Sequence, residues 1–86
     1  MVYPSSTRES ERNDLETETY HYLGWSHGRI ERTVERLMGV DNPDDALIRG
    51  AAREIVAAFG IAGPPEQFWN TGVGRRCADA GFGPGS

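Results

Sequence analysis

Leu23-Gly24-Trp25-Ser26-His27-Gly28-Arg29-Ile30-Glu31-Arg32-Thr33-Val34-Glu35-Arg36-Leu37 reads as a tight turn followed by an amphipathic helix, and the fold is decided on this stretch. Gly24 can take the positive φ that ends a preceding helix. Ser26 is a good N-cap, since its hydroxyl can accept from an unpaired N–H of the first turn. Gly39 stands where the residue just past a helix end belongs. At about 100° per residue three stripes separate. Ile30, Val34 and Leu37, with Thr33 beside them, form a face to bury; Arg29, Arg32 and Arg36 form a second; Glu31 and Glu35 form a third, roughly opposite Thr33.

The charge segregation carries information. Arg32 and Arg36 are like charges four apart, as are Glu31 and Glu35. Each such pair costs about 0.2–0.5 kcal/mol in an isolated helix. A helix shaped only for solubility would alternate its signs, so the arginine stripe suggests an anionic partner surface. The competing reading is a solvated face on which diagonal pairs such as Arg32–Glu35 satisfy one another.

Leu23-Gly24-Trp25-Ser26 followed by Ile30, Val34 and Leu37 resembles the turn and recognition helix of helix-turn-helix and winged-helix DNA-binding proteins. The resemblance covers about residues 14–38. It implies that Ser26, His27, Gly28 and Arg29 face the major groove, with Arg32 and Arg36 near bases or phosphates.

Eighty-six residues make one small domain at most. Mean hydropathy is -0.57, so part of the chain is expected outside any core. One cysteine, Cys77, rules out an internal disulfide and a multi-cysteine metal site, which fits a reducing, cytoplasmic setting. No apolar run approaches the roughly 20 residues that span a bilayer, and Met1–Ser6 carries no signal-peptide pattern. The net charge of -4 argues against a nonspecific nucleic-acid binder. Its distribution matters more: residues 21–40, with three Arg against two acids, are the only net-positive quarter, while residues 1–20 set two Arg against five acids. All nine basic residues are Arg, which suits bidentate contact with phosphate or carboxylate and equally suits a codon bias.

Outward from the central helix, residues 1–12 are polar and aperiodic and read as a flexible arm. Asn13 and Glu16 have capping-box spacing, so the first helix is expected over 14–23, with Leu15, Thr19, Tyr22 and Leu23 inward and Tyr20 and His21 outward. His21 and His27 match no metal-ligand spacing. The second helix spans 27–38. Asn42 as N-cap and Pro43 as first residue open a third, over 43–59, whose apolar face is Leu47, Ile48, Ala51, Ala52, Ile55 and Phe59. Gly60 ends it, with Ile61 packing back on Val56 as in a Schellman ending. Residues 61–86 hold six Gly and three Pro and read as a tail, partly packed back or bound to a partner. Pro64–Trp69 can start one helical turn, with Phe68 and Trp69 folding back as a lid on the core; alternatively these two anchor a partner. Arg75 and Arg76 are candidate anion contacts, although Gly72-Val73-Gly74 lacks the pattern of a phosphate loop. Cys77 has no base nearby in sequence.

The expectation is an all-α chain: three helices over 13–60 between a flexible arm and a Gly/Pro-rich tail. It has no catalytic constellation, cofactor, metal or small-molecule substrate and no membrane segment. Two functions follow. One is a DNA-binding regulator or accessory factor reading through Ser26, His27, Arg29, Arg32 and Arg36. The other is a helical protein-interaction subunit of a larger assembly, such as a virus particle, engaging neighbours through Phe68, Trp69, Arg75, Arg76 and its tails. Either is expected as a homo-oligomer or hetero-complex.

Overall fold

The computed structural model describes residues 4–40 and 42–83, with side chains from Ser10 onward. It is all-α: α1 Pro4–Leu23, α2 His27–Met38, α3 Asp45–Ala57, a 3₁₀ turn Glu66–Asn70, α4 Gly72–Cys77 and a π-type turn Ala78–Phe82. Leu15 from α1, Ile30, Val34 and Leu37 from α2, Ala51, Ala52 and Ile55 from α3, Phe68 from the 3₁₀ turn, and Val73 and Cys77 from α4 form one core.

The first helix begins at Pro4 rather than near Asn13, so residues 4–12, expected as a flexible arm, continue it. Proline suits a first helical position because its φ is preset and its missing N–H has no partner to lose there. Asn13 and Glu16 therefore lie inside the helix and no capping box forms. Leu15 and Thr19 are inward as expected, and the Thr19 hydroxyl donates to the Leu15 carbonyl at 2.8 Å, which satisfies a polar group in the core. Gly24, at φ 64°, closes α1 by donating its N–H to Tyr20 O at 2.8 Å.

The central helix buries Ile30, Thr33, Val34 and Leu37, the face its spacing marks. Ser26 takes the extended N-cap conformation, but its side chain makes no cap hydrogen bond; its carbonyl receives Ile30 N at 3.0 Å. The Schellman ending is here and not on α3: Gly39, at φ 68°, donates to Arg36 O, and Val40 donates to Glu35 O. Arg12 Nη1 lies 3.7 Å from Glu35 Oε1. With a turn at 24–26, a right-angle crossing would hold residues 12 and 35 about 20 Å apart, beyond the reach of the two side chains. Helices α1 and α2 therefore run back along one another as a hairpin.

The third helix starts later than the Asn42-Pro43 signal. Asp44 is its N-cap, accepting from Ala46 N at 2.7 Å, because its carboxylate reaches the first-turn N–H directly. Ala51, Ala52 and Ile55 are buried, whereas Leu47 is 39% exposed and does not join the core. Ile61 is fully exposed, so it does not pack back on Val56; Gly60 and Gly63, both with positive φ, turn it outward.

The Gly/Pro-rich segment packs back on the core, one of its two expected readings, and adds a helix, α4, that no sequence pattern marks. Residues 66–82 are folded and complete the core. Phe68 is 1% exposed and meets Phe59 and Tyr22 edge-on, at centroid distances of 4.9 and 5.5 Å. Thr71 caps α4 by accepting from Gly74 N at 3.0 Å. Gly74 is needed for close approach, since a Cβ there would stand 2.0 Å from the Phe68 carbonyl oxygen. Glu18 Oε1 accepts from Val73 N at 3.1 Å, and Arg76 pairs with Glu11, so α4 lies antiparallel along α1.

Candidate functional site

The arginine stripe of α2 faces the opening between α2 and α3. Arg29, Arg32, Thr33, Glu35 and Arg36 from α2, Asn42 from the connecting loop, and Leu47 and Glu54 from α3 line a groove of about 550 Å³. The apolar face of α2 anchors it in the core, which leaves the next stripe round, the arginines, at the seam with α3.

Each arginine is held differently. The Arg29 guanidinium lies over the Trp25 ring, 3.8 Å from its centroid, a cation–π contact that leaves its donors open to a ligand. Arg32 is exposed and has no ion-pair or hydrogen-bond partner among the described residues. Arg36 is paired across the groove with Glu54, both side chains being partly exposed. Thr33, buried, donates its hydroxyl to Arg29 O at 2.8 Å, so it contributes its methyl group and not a free donor. Leu47 supplies the main exposed apolar surface. The groove thus combines three cations, two carboxylates and an apolar patch; of the carboxylates, Glu54 faces Arg36 and Glu35 lies 3.7 Å from Arg12.

Of the five residues assigned to an anionic surface, Arg29, Arg32 and Arg36 come together in the groove. Ser26 and His27 are exposed at the start of α2 but outside the lining, and His27 Nε2 lies 3.5 Å from Glu31 Oε2. Family models, curated proteins and solved structures contain no match to this chain. What the groove can bind is therefore read from its own side chains.

The C-terminal candidates are dispersed. Phe68 is spent in the core, the first of the two roles its sequence context left open, and so is closed to a partner. Trp69 is half-buried against Phe68, at a centroid distance of 5.2 Å. Arg75 is exposed, while Arg76 is paired with Glu11 and borders a smaller hollow of about 300 Å³ beside Met38, Ile48 and Arg49. Burial pushes the Cys77 thiol from its ordinary 9.0 up to about 12, so it stays protonated at neutral pH. Among the described residues no three His, Cys, Asp or Glu side chains gather as a metal set would, and no helix is long and apolar enough to cross a membrane.

The sequence pattern marks Leu47 for a buried face and Asn42 for a helix cap and gives Glu54 no role; the Arg36–Glu54 pair, eighteen residues apart, exists only through the packing of α3 on α2. The one signal was the position of Glu54 beside Ala51, Ala52 and Ile55, an acid at the edge of an apolar face.

Proposed function

We propose that this chain is a non-enzymatic helical binding module whose arginine-lined groove holds an acidic segment of a protein partner. The observation that carries the reading is the convergence of Arg29, Arg32 and Arg36 with Leu47 in one concave seam between two helices. A concave site with cations and an apolar patch suits an inserted segment that brings carboxylates and a hydrophobic side chain. The chain's net charge of -4 supports a local, contact-range attraction and not the long-range pull that nucleic acid exerts on a basic protein.

A second reading rests on one observation: Ser26, His27, Arg29 and Arg32 are all exposed in the turn and first turns of α2, where a DNA-reading helix presents its contacts. The two readings separate in one experiment. A labelled mixed-sequence duplex is titrated by anisotropy at about 50 and 200 mM salt, the range over which phosphate contacts weaken steeply. The expected outcome is no saturable binding at either salt. Binding that falls steeply with salt and is lost in a folded Arg29→Ala/Arg32→Ala/Arg36→Ala variant would transfer the groove to nucleic acid. A base contact would then make Arg29→Ala or Arg32→Ala cost about 1–3 kcal/mol.

A further inference from the structure

We infer that the occupant of the groove is an amphipathic helix with carboxylates three or four residues apart, and that Glu54 is a built-in competitor which that helix displaces from Arg36. The inference rests on the protein-interaction reading and names both the shape of the ligand and the residue that tunes its affinity.

The geometry supplies the argument. Arg29, Arg32 and Arg36 recur at intervals of three and four along α2. That spacing sets the cations along one edge of the seam over about two helical turns, roughly 10 Å. Leu47 and Glu54, one helical pair of turns apart, form the opposite edge on α3. Acidic side chains on a docked helix at the same intervals meet the three arginines in turn, and an apolar residue between them covers Leu47. An extended strand, with side chains on one face every second residue, falls out of step with a three-and-four spacing.

Of the three arginines only Arg36 pairs with a carboxylate among the described residues, that of Glu54. Arg29 is steadied by the Trp25 ring and Arg32 stands alone among the described residues, so both are ready for a ligand. Glu54 occupies the position an incoming carboxylate would take and repels it at the same time. Replacing Glu54 by Gln keeps the shape of the groove wall, releases Arg36 and removes that repulsion. Because the pair is partly exposed, its strength is that of a surface ion pair, and Glu54→Gln is expected to tighten binding by about two- to fivefold.

The test uses the full chain and two synthetic peptides of about 14 residues, four helical turns. One carries Glu on a single face at three-and-four spacing with Leu beside it; the other has the same composition with its Glu residues spread around the helix. Binding is read from amide chemical shifts of residues 29–36 and 47–54, and from Trp25 emission in a Trp69→Phe background that leaves Trp25 the sole tryptophan. Circular dichroism verifies that each variant is folded. The expected result is groove-localised binding of the one-face peptide, weaker binding of its isomer, tightening in Glu54→Gln and weakening by severalfold in Arg32→Gln. Equal binding of the two peptides, or one-face binding that Glu54→Gln leaves unchanged or weakens, overturns this inference while the protein-interaction reading stands. Absence of groove shifts with either peptide overturns that reading itself.

Discussion

Helix α2 and the 66–82 segment contribute to the same core by different means. In α2, burial follows from periodicity: Ile30, Val34 and Leu37 recur on one face, and the helix runs from the Ser26 cap to Gly39. In 66–82, the only side chains that α4 buries are those of Val73 and Cys77, and the segment is seated by single fits: one aromatic ring, a threonine cap and a glycine that lets two stretches of backbone touch. A periodic face spreads its stabilisation over several aliphatic side chains and tolerates adjustment. A segment held by single fits concentrates it on a few atoms. The contrast teaches that a glycine-rich stretch is not thereby a loose one.

The largest test of that contrast is Phe68→Ala. Removing a buried ring at the meeting point of Tyr22, Phe59 and Trp69 is expected to cost about 3–5 kcal/mol in urea unfolding. The loss should appear in a single cooperative transition, because the segment belongs to the one core. A loss below about 1 kcal/mol would mark 66–82 as an appendage and break the comparison.

Two glycines sharpen it, with opposite signs. Gly74→Ala drives a Cβ into the Phe68 carbonyl and is expected to destabilise by about 1–3 kcal/mol. Gly50→Ala, in the interior of α3 with open space around the new methyl, is expected to stabilise by about 0.5–1 kcal/mol. Equal and small effects at both positions, measured by the same unfolding curves, would remove the distinction between a close-approach glycine and a merely permissive one.

The smallest effect under ordinary conditions comes from Cys77. Its folded-state value is raised from 9.0 to about 12, so the unfolded thiol loses its proton first as pH rises. Stability linked to this group is complete below about 9 and is lost progressively between about 9 and about 12. Cys77→Ala should flatten that alkaline decline in stability measured against pH, and the native thiol should react slowly with a disulfide reagent at neutral pH.

The sequence made α2 legible because its spacing and its glycines agree. It located α3 to within two residues at each end but misplaced the cap, since Asn42, Asp44 and Asp45 are all competent acceptors and only the backbone path chooses among them. The early part of α1 was illegible because residues 4–12 show no apolar period. Their polar contacts fall instead on distant residues, Glu11 on Arg76 and Arg12 on Glu35. Composition hid the fold of 66–82, where Gly72 and Gly74 serve packing. The arginine stripe of the groove was readable from α2 alone, whereas Leu47 and Glu54 join it through the approach of α3, which no local pattern encodes.

The antiparallel seam of α1 with α4 also bears on how the protein is made. Val73 reaches back to Glu18 and Arg76 to Glu11, across 55 and 65 residues of chain. Helix α1 leaves the ribosome before its partner, so the Leu15 side, against which Gly72 finally rests, waits uncovered until residues 72–77 have been made. Closing so long a loop comes late and is slow compared with forming the α1–α2 hairpin. The nascent chain therefore passes through a hairpin with one apolar flank bare, and the arrival of residues 66–82 is the step that seals it.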